Sequence, residues 1–250
     1  MHSDLNIRGI IAILLIASST FLASQPVVAL NDSEKPLSVT ISSREHSPLN
    51  AVTETVVREM YRRIGYAVKF EHLPGNRAIT LASHGKVDGD VSRLAFITKK
   101  FPDLRIVPVP IFYSELVALS TNEDLKIGGW ESLGAYQVVA PSSFKLIWNK
   151  LRNHKNTVRT PDTASALLTL INGHAEVAVL NKYEAERLID VFNYQNISPH
   201  LPPLEKLPIY HILHKKNEHL ITPLTAAIKQ MSEDGSLKKI WIERGATPPE

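Results

Sequence analysis

The 250-residue chain carries 28 Lys and Arg against 25 Asp and Glu, a formal net charge of +3, with 44% hydrophobic residues and no cysteine. The missing thiol excludes a disulfide framework, a thiolate metal site, a thiol nucleophile and acylation on cysteine. Charges of both signs are scattered, with no long basic run and no basic–aromatic interleaving, so nucleic acid is not an expected partner and only a mild bias towards anionic small molecules remains.

Arg8 precedes an apolar run from Gly9 to Ala17 that is shorter than the roughly 20 residues needed to cross a bilayer. Ala29, with Val27 two positions earlier, offers a cleavage point, and Ala23-Ser24 offers a second. Residues 1–29 are therefore expected to be a cleavable export signal that leaves a soluble, unlipidated protein in the periplasm.

Leu37-Ser38-Val39-Thr40-Ile41 alternates as a strand does, and Leu49, Val52, Val56, Met60 and Ile64 then recur at helical spacing, with Gly65 as the stop. Val68–Leu73 reads as a second strand, Pro74-Gly75-Asn76 as a turn, Arg77–His84 as a helix closed by Gly85, and Val87–Ser92 as a third strand. The same order returns in Tyr136–Ala140, a helix over Ser142–Leu151, and Thr157–Arg159. A helix follows with Ala164, Leu167, Leu168 and Ile171 on one face, then Gly173 and the strand Ala175–Leu180. Two βαβαβ units predict an α/β fold of two lobes; coincidence within one doubly wound sheet is the alternative. Proline-rich extended stretches at 104–120 and 199–213 suit paired crossings between lobes. They place lobe 1 at 36–114 and 209–250 and lobe 2 at 115–208. Helices carrying Leu224, Ile228 and Met231, then Leu237, Ile240 and Trp241, are expected to return to lobe 1.

Open parallel sheets bind ligands beyond the carboxyl ends of their strands. That rule selects Ser42 and Glu45 after the first strand, Arg77 after the second, and Ser92 and Arg93 after the third. In the second unit it selects Ser142, Ser143 and Asn181. Arg93 could grip a carboxylate with two parallel hydrogen bonds, and Arg77 could add to the same anion site, although surface or structural ion pairs are the bland use of either. Glu45 could meet a ligand amine or simply be solvated. Ser142 and Ser143 could donate to a ligand or cap a helix, and Asp162 reads as a cap. Tyr113 and Phe112 could stack on a ligand or fill the core. The ten histidines are dispersed, and no His-Glu-x-x-His, Gly-x-Ser-x-Gly, phosphate loop or dinucleotide fingerprint occurs, so no metal or cofactor is expected. Asp88 and Asp90 share a strand face, a spacing that also arises by chance.

The segments Ala82–Asp90, Leu170–Leu180 and Met231–Ile240, in this order and spacing, resemble the extracellular solute-binding proteins of family 3, the amino-acid-type receptors of bacterial ABC importers. The resemblance covers nearly all of the chain beyond the signal. It implies a type II periplasmic binding fold of two lobes, each a mostly parallel sheet flanked by helices, closing on a small polar, carboxylate-bearing solute. It also implies a membrane permease as partner and a monomeric receptor. The family's Thr-x-x-Arg grip on the ligand carboxylate is absent from Ile97-Thr98-Lys99-Lys100-Phe101, leaving Arg93 as the substitute, and Asn181 stands where an aspartate commonly meets the ligand amine. The family also includes periplasmic cyclohexadienyl dehydratases, and a ligand-sensing partner of a membrane receptor has the same lobes; these are the alternative functions.

Overall fold

The computed structural model describes residues 37–45, 47 and 49–244; the expected export signal lies outside the described residues, as do His46 and Pro48. Strand β1 (Leu37–Arg44) is followed by α1 (Asn50–Arg63), β2 (Tyr66–Leu73), α2 (Gly75–Ser83) and β3 (Gly89–Leu94). The short α3 (Ile97–Lys100) and β4 (Leu104–Ile106) lead to the long β5 (Phe112–Ser120). The second unit comprises β6 (Val138–Pro141), α4 (Lys145–Lys150), β7 (Thr157–Thr160), α5 (Thr163–Ile171), β8 (Val177–Asn181) and α6 (Lys182–Phe192). The 17-residue β9 (Ser198–His214) then returns, and α7 (Ile221–Glu233) and α8 (Ser236–Glu243) complete the described chain.

All nine strands belong to one sheet, ordered β2-β1-β3-β9-β5-β8-β6-β7, with β4 also on β9. Strand β1 runs parallel to β2 and β3, and β6 runs parallel to β7 and β8, so each half repeats the same second-first-third order. The halves meet through β5 and β9, which pair antiparallel from Phe112 opposite Ile209 to Ser120 opposite Ser198. These are the two proline-flanked stretches expected to cross.

Helical spacing fixes which faces are buried. Val52, Val56 and Met60 of α1 meet Leu224, Ile228 and Met231 of α7 and Trp241 of α8 in one core beneath β1 and β3, so the last helices do return to the first half. The second half has a core on each side of its sheet, one around Val138, Ala140, Ile147 and Val177 and the other around Val139, Leu167, Leu170 and Ala178. Two junctions depend on glycine. Gly85 and Gly173, at matching places, have φ of 66° and 70°, a region L side chains rarely adopt. At Gly89 a Cβ would collide with the carbonyl oxygen of Ile212, so only glycine lets β3 pair with β9 there.

Three expectations differ from the fold. Pro74 is the residue before α2 and Gly75 and Asn76 are already helical, because an extended proline pre-sets a helix start as readily as a turn. In α5 the buried residues are Ala166, Leu167 and Leu170, while Leu168 is 46% exposed. The unbroken run Ala-Leu-Leu-Thr-Leu-Ile leaves the helical phase undetermined, and the start at Thr163 sets it. Helix α4 spans Lys145–Lys150 rather than 142–151, since Phe144 holds a non-helical conformation, φ −84° and ψ 77°, ahead of it.

Candidate functional site

The carboxyl ends of the parallel strands in both halves line one cleft of about 680 Å³. The first half contributes Arg44 from the end of β1, and Asp90, Ser92 and Arg93 from β3. The second contributes Ser143 ahead of α4, Thr163 at the start of α5, and Asn181 and Glu184 at the start of α6.

Arg93 is held rigidly. Its Nε donates to Asp90 Oδ1 at 2.9 Å, its Nη2 donates to Asp90 Oδ2 at 2.8 Å, and Nη2 also lies 3.1 Å from the carbonyl oxygen of Gly75. A two-point pair of this kind fixes a guanidinium in plane as well as in position. Asp90 is buried, and the Ser42 hydroxyl stands 3.0 Å from its Oδ2. Arg44 lies beside it, its side chain against Gly75, where a Cβ would come within 3.5 Å of Nε. Among the described residues no carboxylate is within 4.0 Å of the Arg44 guanidinium. Burial, and then the charge of Arg93, lower its pKa, and only the more distant Asp90 and Glu184 oppose them. A cation that lines a cleft without a carboxylate partner, next to a second arginine, is a site for an anion.

The facing half is built from helix starts. Asn181 Oδ1 accepts from the Glu184 backbone N–H at 3.1 Å, capping α6, and Asn181 Nδ2 donates to Ser114 Oγ at 2.8 Å. Asp162 caps α5 by accepting from Ser165 N–H at 2.7 Å, as expected. The Glu184 carboxylate accepts from Thr163 Oγ1 at 3.0 Å and has no cation within ion-pairing distance among the described residues. Burial pushes its pKa up, partly offset by that hydrogen bond and by the Arg44 charge.

Of the residues singled out in the sequence, Arg93, Ser92, Ser143 and Asn181 line this cleft. Ser42 is buried beneath it, against Asp90 and the Gly89 carbonyl oxygen. Arg77 is exposed on α2 and Ser142 is exposed beside α4, and neither lines the cleft. Glu45 continues the β1–β2 ladder, its N–H donating to the Leu73 carbonyl oxygen, and also stands off the cleft. Neither serine caps α4, which has Phe144 at its cap position. Tyr113 lines a neighbouring cavity of about 290 Å³, with the Lys206 ammonium 5.2 Å from its ring centre, and Phe112 borders both cavities. Sequence reasoning passed over Arg44 and Glu184. Arg44 sits inside the loop the strand-end rule selects. Glu184 stands three residues after Asn181, the cap-to-third-position spacing that announces a helix start.

Asp88 and Asp90 are both engaged. Asp88 accepts from Thr40 N–H at 2.7 Å and Asn217 Nδ2 at 3.0 Å and pairs with Lys216 at 3.0 Å, whereas Asp90 belongs to Arg93. Among the described residues no three His, Asp or Glu side chains come together as metal ligands, and no helix is long and apolar enough to cross a membrane.

Two α/β halves joined by a pair of crossing strands, with parallel strand ends converging on the cleft between them, define the type II periplasmic binding protein fold. The chain superposes on the probable amino-acid ABC transporter extracellular-binding protein ytmK from Bacillus subtilis with a TM-score of 0.69 at 15% identity, covering 84% of this chain and 98% of that one. A histidine kinase sensor domain with similarity to periplasmic binding proteins gives a TM-score of 0.67 at 16% identity, covering 85% and 98%. The GluR0 ligand-binding core from Nostoc punctiforme, in complex with L-glutamate, gives 0.63 at 18%, covering 82% and 98%. In sequence, an uncharacterized protein of Shewanella oneidensis is 22% identical over 231 residues, 89% of this chain and 87% of that one. No family model matches the chain.

Proposed function

We propose that the protein is an exported, periplasmic solute-binding receptor whose two halves, 36–114 with 209–250 and 115–208, close on a small carboxylate-bearing solute. The observation that carries this reading is the Arg44 guanidinium, which lines the cleft beside Arg93 without a carboxylate partner among the described residues. Arg93 is spoken for by Asp90 and serves as a rigid second donor, so Arg44 has the free hydrogen-bonding capacity for an incoming carboxylate. The backbone at the start of α2, against which both arginines pack, adds its positive end to the same region. The supply of a solute to the permease of an ABC importer is the role we assign to the closed form, with the monomer as the working unit.

Thermal unfolding of the protein against a panel of carboxylates, amino acids and neutral sugars tests the reading, because a ligand bound only by the folded state raises the midpoint with concentration. Carboxylates should raise it and neutral sugars should not, and Arg44→Ala should abolish the shift. A panel without any stabilising carboxylate would refute this function. Capture of membrane proteins by the ligand-saturated form distinguishes a transporter permease from a sensor kinase as the partner.

A further inference from the structure

The cleft is larger and drier than a carboxylate requires. Phe96, immediately ahead of α3, is 60% exposed although it lines the cleft, and Phe144 lines it from the residue ahead of α4 in the other half. Leu94 and Leu207 on the strands, and Leu146 and Leu188 on α4 and α6, extend the same apolar lining. A single exposed phenylalanine is ordinary on a protein surface, but one that continues a contiguous apolar wall inside a cleft marks a place where something apolar is covered.

Several polar groups of the walls are committed elsewhere. Asp90 holds Arg93, Asp162 and Asn181 cap helices, the Asn181 amide donates to Ser114, and Thr163 donates to Glu184. Ser92, Ser143, Lys145 and Arg187 also line the cleft, so it is the apolar lining that sets the character of the ligand's body. A volume of about 680 Å³ falls in the range of roughly 300–1,000 Å³ typical of sites for molecules well beyond two or three carbons.

Resting on the solute-binding reading above, we infer that the solute is a carboxylate carried on an apolar, ring-sized body, with its head on Arg44 and Arg93 and its body held between Phe96 and Phe144. Flat aromatic bodies suit two phenylalanine faces, and closure of the halves would bury both rings against them. Such a solute is either a simple aryl-alkanoate or an aromatic amino acid; the two share head and body and differ in an amine for which Glu184, without a cation within ion-pairing distance among the described residues, is the acceptor.

Isothermal titration of the purified protein with 3-phenylpropionate, phenylalanine, acetate, glycine and citrate decides the matter. A ring-bearing ligand should bind at least about tenfold more tightly than acetate, glycine or citrate, from the apolar area it buries. Phe96→Ala, a change at an exposed side chain that leaves the core intact, should weaken that ligand about tenfold without altering the melting temperature of the free protein, and Phe144→Ala should weaken it as well while lowering that temperature, because Phe144 also packs on the core of its half. Tighter binding of phenylalanine than of 3-phenylpropionate, lost in Glu184→Gln, would assign the amino acid, and the reverse order the alkanoate. Acetate, glycine or citrate binding as tightly as the ring-bearing ligands, or Phe96→Ala binding them unchanged, would overturn the inference while leaving a carboxylate receptor. Absence of binding by every carboxylate would remove the receptor reading itself.

Discussion

His211 on β9 is fully buried, in a T-shaped contact with Tyr61, and its two ring nitrogens are both used. Nε2 lies 3.0 Å from the Tyr61 hydroxyl and Nδ1 lies 3.3 Å from the carbonyl oxygen of Val91. Since a carbonyl only accepts, Nδ1 carries the proton and Nε2 accepts from tyrosine, which is the neutral imidazole. Burial is the main reason its pKa falls from 6.5 to about 4; the Val91 carbonyl and the nearby Asp90 charge oppose it. The unfolded chain therefore holds a proton on this ring more tightly than the folded one does. The stabilising difference is complete above pH 6.5 and is lost as pH falls from there through about 4. At about 1.4 kcal/mol per pH unit the gap amounts to about 3 kcal/mol. Urea unfolding of the protein and of His211→Gln, followed between pH 7.5 and 4, isolates this contribution, because carboxylate titrations are common to both. The wild-type free energy should fall by about 3 kcal/mol more than the variant's across that interval. Parallel curves, or a proton resonance from His211 titrating near 6.5, would refute the assignment of a neutral buried ring.

Gly89→Ala should destabilise by about 1–3 kcal/mol, since its Cβ meets the Ile212 carbonyl oxygen and β3 must move from β9; the denaturant midpoint reports it, and an unchanged midpoint would mean the strands have slack. Glu184→Gln should raise the ligand-free melting temperature at pH 7 but not at pH 4. Burial raises the pKa of this carboxylate, so the unfolded chain ionises first, and the penalty sets in as pH climbs through the folded value. Equal effects at both pH values would place the gain elsewhere.

The doubled βαβαβ order was readable because most strands alternate or are uniformly apolar and three of the four helices, α1, α2 and α5, close on a glycine, Gly65, Gly85 and Gly173. Helix α6 was not, because its inward face offers only Ala185 as a fully buried residue and the stripe is too thin to register. Its start at Asn181 was nonetheless written in the Asn-Lys-Tyr-Glu spacing. The strand-end rule located the cleft but not the groups in it. Ser42 and Arg44 share a strand face, yet two residues of rise separate a hydroxyl sealed under the sheet from a guanidinium that reaches the cleft. That Arg93 spends its charge on Asp90 was invisible for a related reason, since the bulge between Asp90 and Arg93 brings together two side chains that a regular strand would send to opposite faces.

The charge distribution over the two halves gives their proposed closure an order. Both arginines that can hold a carboxylate belong to β1 and β3, on the half stiffened by the α1, α7 and α8 core. The other half presents helix caps, Phe144, Glu184 and the more dispersed cations Lys145 and Arg187. A carboxylate arriving at the open cleft meets the adjacent pair of arginines on the first half, so capture there does not require the second to move. Closure then adds mainly apolar contact and brings Glu184 towards Arg44, an approach that is favourable only while the carboxylate of the solute does not already saturate the guanidinium. On this account Arg44→Ala should slow association and weaken its dependence on salt, whereas Phe144→Ala should leave association unchanged and speed dissociation, because steering acts on the encounter and apolar contact on the residence time. Stopped-flow fluorescence at two ionic strengths separates the two rates, and a slowed association in Phe144→Ala would mean that the solute is first met by both halves together.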